Sequence, residues 1–199
     1  MVEVIRSTQA LPESYKATWK LDMRERKNLL IANLAALAIL FIITPLIFAF
    51  ASSVRPNESY RFSLTGVSGL LDIFVLVIVL ALMLLVHEGI HGIFIWIFTG
   101  TRPKFALKVY YAYAAAPGWY LAKWPYFITA IAPLVVITAL GLIAMTFVPL
   151  SWVFAMMLLV IFNASGAVGD AWVALALLKR KPSVFAQDDG DVVTFYESV

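Results

Sequence analysis

Residues 70–98 read LLDIFVLVIVLALMLLVHEGIHGIFIWIF, and a helix needs about 20 apolar residues to cross a membrane. The run contains His87-Glu88-Gly89-Ile90-His91, which holds the only two histidines of the chain. An HExxH spacing places two imidazoles on one helix face, where both can bind one zinc ion, with a carboxylate beside them. Ionisable groups inside a membrane cost about 2.5–3.5 kcal/mol each, which makes a chance match a poor explanation. The stretch predicts a metal site within a membrane helix.

The composition predicts an integral membrane protein. The chain has 199 residues, of which 62% are hydrophobic and 14% are charged, whereas soluble domains carry about a quarter charged residues. The absence of cysteine excludes disulfides and thiolate metal sites. Basic residues flank the apolar runs and form no stripe, which argues against nucleic-acid binding. We therefore expect a multi-pass protein of the cell membrane with the lipid bilayer around it, and the sequence leaves its oligomeric state open.

Four apolar stretches are long enough to span a bilayer, at about residues 29–50, 70–98, 126–148 and 152–178. The sequence thus predicts an all-α membrane protein with four transmembrane helices, and a short β-hairpin between the second and the third. The expected organisation is a cytoplasmic segment over residues 1–28, a four-span catalytic domain over 29–178 and a cytoplasmic tail over 179–199.

The distribution of basic residues predicts the orientation in the membrane. Thirteen of the 15 lysines and arginines lie before the first span, between the second and third spans, or after the fourth. The opposite flank has only Arg55 and Arg61. Because cytoplasmic flanks are enriched in Lys and Arg, both termini should face the cytoplasm.

A catalytic zinc site needs a third protein ligand, which here must be a carboxylate because no third histidine exists. The choices within the spans are Asp72 and Asp170. His87 lies about 17 residues, or roughly 25 Å, into the second span, and Asp170 lies at nearly the same depth in the fourth. Asp72 is roughly 22 Å away from His87 along the helix. The sequence therefore predicts one zinc ion bound by His87, His91 and Asp170.

Small and polar residues surround the predicted ligands. Small residues allow two membrane helices to approach closely. In the fourth span the small and polar residues share one helix face, and they are Asn163, Gly166, Ala167, Asp170 and Ala174. The motif helix has Gly89 and Gly92. Asn163 has two possible roles at this stage. It either donates a hydrogen bond to the substrate backbone or an oxyanion, or it is purely structural.

The chemistry that this residue set predicts is hydrolysis. Zinc lowers the pKa of its bound water and polarises the scissile carbonyl. Glu88 is the predicted catalytic base, which removes a proton from that water and later passes it to the leaving amine. The expected substrate is a membrane protein or peptide.

The segment from Lys104 to Lys123 predicts an amphipathic β-hairpin at the cytoplasmic interface. Polar and apolar residues alternate up to Tyr113, and Ala116-Pro117-Gly118 then gives a turn signal. Two roles are open for this hairpin. Its edge strand pairs with an extended substrate through Val109 and Tyr111, or it is an interfacial anchor without substrate contact.

The tail contains two further features. Residues 188–191 read DDGD and lack the spacing of a calcium-binding EF-hand loop, so we expect a solvated turn. Residues 192–196 read VVTFY, a run of β-branched and aromatic residues, and we interpret them as a short strand that joins the hairpin.

With His87-Glu88-Gly89-Ile90-His91 on one span and Gly169-Asp170 on a later one, the chain resembles the putative zincin peptidase family of small membrane proteins. That family is marked by HExxH and a Gly-Asp motif. Residues 70–178 are also similar to the catalytic core of site-2 proteases. Both resemblances imply zinc bound by His87, His91 and Asp170, with Glu88 as the base. Site-2 proteases usually carry a proline between the Asn and the Asp and a glycine after the Asp, whereas here residues 164–169 contain no proline and Ala171 follows Asp170.

Three functions are open from the sequence. The first is an intramembrane zinc endopeptidase. The second is a divalent-metal transporter, although transporters need more spans and a second set of intramembrane ligands. The third is a catalytically inactive relative that binds membrane proteins without cleaving them.

Overall fold

A computed structural model describes residues 7–56, 66–107 and 112–198 of the chain. Val109 and Tyr111, the predicted substrate-contacting residues of the hairpin, lie outside these residues. The described part is mostly helical and contains five helices and six strands. In chain order they are β1 (Tyr15–Asp22), α1 (Arg26–Val54), α2 (Gly66–Thr99), β2 (Lys104–Leu107), β3 (Ala112–Ala115), β4 (Leu121–Ala122), α3 (Lys123–Met145), α4 (Leu150–Gly166), α5 (Val168–Leu178), β5 (Phe185–Asp188) and β6 (Val192–Ser198).

Helices α1, α2 and α3 are each long and apolar enough to cross a membrane. Only 11% of the most apolar stretch of α1, and 11% of that of α2, is buried. Large apolar side chains therefore face outwards, among them Leu30, Phe41 and Leu85. A helix that is apolar on all sides is expected either in a protein core or in lipid. The exposure of these two helices is compatible with lipid.

The fourth predicted helix, residues 152–178, is two helices in the structure. Helix α4 ends at Gly166, α5 begins at Val168, and the two are bent by 47° at the break. Gly166 and Gly169 flank the break, and glycine lowers helix stability by about 1 kcal/mol relative to alanine. The described residues thus contain three candidate spans, or four if the bent pair is one span.

The prediction of an all-α protein is incomplete, because the described residues contain two small antiparallel sheets. One is the hairpin of β2 and β3, which confirms the hairpin predicted between the second and third helices. Both strands of this hairpin, however, lie before Ala116, in the stretch that the sequence predicts as a single strand. The predicted turn at Ala116-Pro117-Gly118 exists, since the Trp119 N–H bonds to the Ala116 carbonyl. It leads to β4, however, which belongs to the other sheet.

The second sheet has four strands in the order β1-β6-β5-β4. The strand predicted at residues 192–196 is confirmed as β6, but the partner predicted for it is wrong. Strand β6 pairs with β1 and with β5 instead of with the hairpin. Strands β5 and β6 form a local hairpin, whereas β1 comes from the other end of the sequence, so spacing alone cannot show the β1–β6 pairing.

The chain divides into two compact units. Unit 1 comprises residues 1–33, 88–132 and 169–199, and its core lies between the four-stranded sheet and α5, around Leu21, Leu177 and Phe195. Unit 2 comprises residues 34–87 and 133–168, and its core lies among α1, α3 and α4. Within unit 2, Gly141 of α3 lies so close to Val160 of α4 that a Cβ there would overlap the valine side chain.

Candidate metal centre

Helix α2 carries both histidines of the HExxH motif on one face. The helix runs without a break through the motif, so His87 and His91 lie one turn apart on the same side. Both side chains are buried, with relative exposures of 7% and 9%. Buried imidazoles need hydrogen-bond or metal partners, because an unsatisfied buried polar group costs about 1–3 kcal/mol.

The bend in the fourth predicted helix places Asp170 in the first turn of α5. A carboxylate is favoured there because the backbone N–H groups of a helix N-terminus carry partial positive charge. One carboxylate oxygen of Asp170, Oδ1, lies 3.4 Å from Nε2 of His91. Two nitrogen or oxygen ligands at about 2.0–2.1 Å from a tetrahedral zinc lie roughly 3.3 Å apart. The pair is thus spaced as two ligands of one zinc ion would be.

His87 completes a group of three possible ligands. Each of His87, His91 and Asp170 offers one ligand atom, and these atoms all lie within 4.8 Å of one another. The position of His87 relative to His91 is set by the helix that carries both. Two imidazoles and a carboxylate are a donor set that zinc accepts in catalytic sites. The residues therefore fit the metal that the motif predicts.

The hydrogen bond of His91 determines which ring nitrogen faces the site. Its Nδ1 lies 2.8 Å from the backbone carbonyl oxygen of Thr129. A carbonyl only accepts hydrogen bonds, so Nδ1 must carry the proton. In a neutral imidazole the lone pair is then on Nε2, the nitrogen that faces Asp170. A metal-binding histidine typically donates its other ring N–H in this way.

His87 has the same arrangement through Asn163. Its Nδ1 lies 3.0 Å from Oδ1 of Asn163, whose side chain is fully buried. The Nδ2 of Asn163 donates to the carbonyls of Pro133 and Leu134, at 3.3 and 3.5 Å, and to the Thr138 hydroxyl. These acceptors fix the amide orientation, so Oδ1 accepts from His87. The contacts of Asn163 favour its structural role over a contact with substrate.

The comparison with known families agrees with this geometry. Residues 80–185 match the family described as putative zincin peptidase, and the match includes both histidines, Glu88 and Asp170. The chain belongs to this family. Its family implies zinc as the metal, and the His-His-Asp group is compatible with a site for it. Neither curated proteins nor solved structures gave a match, and the similarity to site-2 proteases stays a prediction.

Unit 1 of this zincin-family protein contains a cavity of about 140 Å³. Glu88, His91 and Asp170 all line it. The predicted base thus faces the same space as two of the predicted ligands. The remaining wall is formed by apolar and aromatic residues of the sheet, the hairpin and the helices, with two further acidic residues: Leu21, Met23, Ile95, Tyr113, Tyr126, Val173, Val193, Asp188 and Asp191.

Sequence reasoning missed a hydrogen-bonded pair in the cavity wall. The hydroxyl of Tyr126 donates to Oδ2 of Asp188 at 2.6 Å, and Oδ1 of Asp188 accepts the Gly190 N–H at 2.8 Å. Burial raises the pKa of Asp188, although these two hydrogen bonds act in the opposite direction. Residues 188–191 do include the predicted turn between β5 and β6, but the prediction that they are solvated is wrong for Asp188, Gly190 and Asp191, which line the cavity, and only Asp189 is exposed.

The small residues of α2 have a different role from the predicted one. A Cβ at Gly92 would overlap the ring of Phe105, which comes from strand β2 and not from another helix. A Cβ at Gly89 would meet nothing within 4 Å. Gly92 therefore accommodates the hairpin, and no close helix contact depends on Gly89.

Proposed function

We propose that this chain is an intramembrane zinc metallopeptidase that hydrolyses peptide bonds of membrane-embedded or juxtamembrane substrates. One observation carries the proposal: Asp170 lies 3.4 Å from His91, His87 lies one turn away on the same helix, and Glu88 lines the cavity beside them. Membership of the putative zincin peptidase family supports the same chemistry.

His87, His91 and Asp170 would hold the ion. When bound, zinc polarises the scissile carbonyl and lowers the pKa of a water molecule. The carboxylate of Glu88 takes a proton from the attacking water and delivers it to the leaving amine. Asn163 and Thr129 hold the imidazoles so that the Nε2 atoms point into the site.

The four-stranded sheet supports the proposed orientation in the membrane. Its strands come from the N-terminal segment (β1), the connection before α3 (β4) and the tail (β5 and β6). Strands of one sheet must lie on the same side of a membrane. These are the three segments with the high content of lysine and arginine, so the positive-inside rule assigns the sheet and both termini to the cytoplasm.

Three variants of the full chain, purified in detergent, test the proposal. Glu88→Gln should keep zinc and lose cleavage of a membrane-peptide library, measured by mass spectrometry of new peptide termini. Asp170→Ala should lower the zinc content of the protein. Asp72→Ala is the matched control, because Asp72 lies on α2 outside the His-His-Asp group, and it should bind zinc as the wild type does.

Several outcomes would contradict the proposal. A wild-type protein without zinc would refute the metal site, and an Asp170→Ala protein with unchanged zinc affinity would refute the third ligand. Cleavage by Glu88→Gln at the wild-type rate would refute the base.

The same variants separate the two alternative functions. A transporter would move zinc into liposomes with Glu88→Gln as well as with the wild type, and neither would cleave peptides. An inactive relative would bind membrane proteins equally with either residue. Within residues 7–56, 66–107 and 112–198, His87, His91 and Asp170 form the only group of three such ligands, which favours an enzyme over a transporter with several sites.

A further inference from the structure

We infer that Pro133 of α3 is a positioning residue that orients both metal-binding histidines through its backbone. The absence of an N–H group at Pro133 leaves the Thr129 carbonyl to accept from His91, and the Pro133 carbonyl helps to orient Asn163, the acceptor for His87. The inference rests on the proposed function only in its statement that the histidines bind a metal. The hydrogen bonds themselves are independent of that proposal.

The first step follows from helix geometry. In an α-helix the N–H of each residue bonds to the carbonyl four residues earlier. The donor for the Thr129 carbonyl would thus be residue 133, and proline has no N–H to donate. That carbonyl instead lies 2.8 Å from Nδ1 of His91. An ordinary residue at position 133 would compete with the imidazole for this oxygen.

The second step concerns Asn163. Its Nδ2 donates to the carbonyls of Pro133 and Leu134 and to the Thr138 hydroxyl, at 3.3–3.5 Å. Because Asn163 is fully buried, these acceptors on α3 decide which way its amide points. The amide oxygen therefore faces His87. The turn of α3 at Pro133 thus contributes to the orientation of each imidazole by a separate contact.

The location of Pro133 argues against a neutral role. A proline in a helix interior costs about 3 kcal/mol relative to alanine, and Pro133 is fully buried within α3. The protein retains this cost at a turn whose carbonyls include a partner of His91 and a partner of Asn163. Pro45 of α1 is also within a helix, but it is exposed.

Histidine nitrogen NMR tests the inference directly, because the chain has only two histidines. In the full-length wild type, we expect both imidazoles to carry a proton on Nδ1. In Pro133→Ala the new N–H should compete for the Thr129 carbonyl, so the Nδ1–H resonance of His91 should shift to that of a weaker hydrogen bond. His87 should not change, because alanine keeps the carbonyl that contacts Asn163. His87 is therefore an internal control in the same spectrum.

Zinc affinity provides a second measurement. Loss of an outer-shell partner typically weakens metal binding about 10–100-fold, and we expect Pro133→Ala to fall in that range when zinc is titrated against a chelator. Pro45→Ala is the matched control, since it also restores an N–H within a long helix, and its zinc affinity should equal that of the wild type.

The inference is overturned if Pro133→Ala changes neither the Nδ1–H resonance of His91 nor the zinc affinity, or if Pro45→Ala weakens zinc binding equally. If Pro133→Ala does not fold, the wild-type spectrum still decides, because an Nδ1 of His91 without a proton would contradict the inference. A wild type that binds no zinc would instead refute the proposed function, and the measurement on Nδ1 would remain valid.

Discussion

Two substitutions of Asn163 separate its role as the hydrogen-bond acceptor for His87 from its role as a donor to the carbonyls of α3. Asn163→Leu has a similar size but removes the acceptor of the His87 N–H as well as the donor to the α3 carbonyls. Asn163→Asp keeps an acceptor towards His87 and removes only the donor. The first variant should therefore lose both zinc affinity and stability, and the second should lose stability alone.

The structure sets the expected magnitude. In Asn163→Leu the buried Nδ1–H of His87, whose exposure is 7%, has no acceptor, and an unsatisfied buried donor costs about 1–3 kcal/mol. Alternatively the proton moves to Nε2, which then cannot bind a metal. A 10–100-fold loss of zinc affinity corresponds to about 1.4–2.8 kcal/mol. The two ranges overlap, as expected if one hydrogen bond accounts for both.

The assay combines a zinc titration with thermal unfolding of the full chain in detergent. We expect Asn163→Leu to bind zinc about 10–100-fold more weakly than the wild type. Asn163→Asp should have an affinity close to that of the wild type and a lower unfolding temperature, because its carboxylate faces the carbonyls of Pro133 and Leu134. Wild-type affinity in Asn163→Leu would refute the role of Asn163 in orienting His87. Equal loss in both variants would show that packing of the amide, and not its oxygen, is what matters.

Two other predictions concern unit 1. Gly190 has a φ of 87°, and a Cβ there would overlap the Tyr113 ring, whereas Gly118 has a φ of 79° and a Cβ there would meet nothing within 4 Å. Gly118→Ala should therefore cost about 1–2 kcal/mol of backbone strain, and Gly190→Ala should cost more because of the additional overlap. Equal losses of stability in thermal unfolding would contradict the role of Tyr113. The hydrogen bonds from Arg24 hold the pKa of Asp22 well below its ordinary value of 3.8. Because the folded-state pKa is below that of the unfolded chain, Asp22 stabilises the fold above pH 3.8, and this stabilisation is lost as the pH falls towards the folded-state pKa. Asp22→Asn should flatten this loss in unfolding curves taken from about pH 5 to 2, and an unchanged curve would contradict it.

That His87, His91 and Asp170 lie close together could be predicted, because their arrangement is local or is limited by the length of the apolar spans. His87 and His91 are one helical turn apart, so sequence spacing is enough to put them on one face. Asp170 could be selected from the sequence because the apolar spans contain few carboxylates, and the depth of each in the membrane follows from its position in the span. Neither argument required knowledge of how distant parts of the chain pack.

The sheet and the outer hydrogen bonds could not be predicted in the same way. Residues 192–196 predict strand β6, and its partner β5 is only three residues away, but its other partner β1 is separated from it by most of the chain. The role of Asn163 depended on the packing of α3 against α4, which no pattern within α4 reveals. Pro133 did offer a signal, since a proline within a predicted span always leaves one carbonyl without its helical donor.

The order of the strands has a consequence for the timing of biosynthesis. Strand β1 pairs with β6, and Thr18 and Glu197, which share a hydrogen bond across this pair, are 179 residues apart in the chain. At about 5–20 residues per second, a ribosome needs roughly 10 to 35 seconds to make the intervening chain. All five helices, with His87, His91 and Asp170, are synthesised in this interval. The nascent chain therefore carries His87, His91 and Asp170 before Asp191 and Val193 exist, so the cavity wall cannot be complete until the last strand of the sheet has been synthesised.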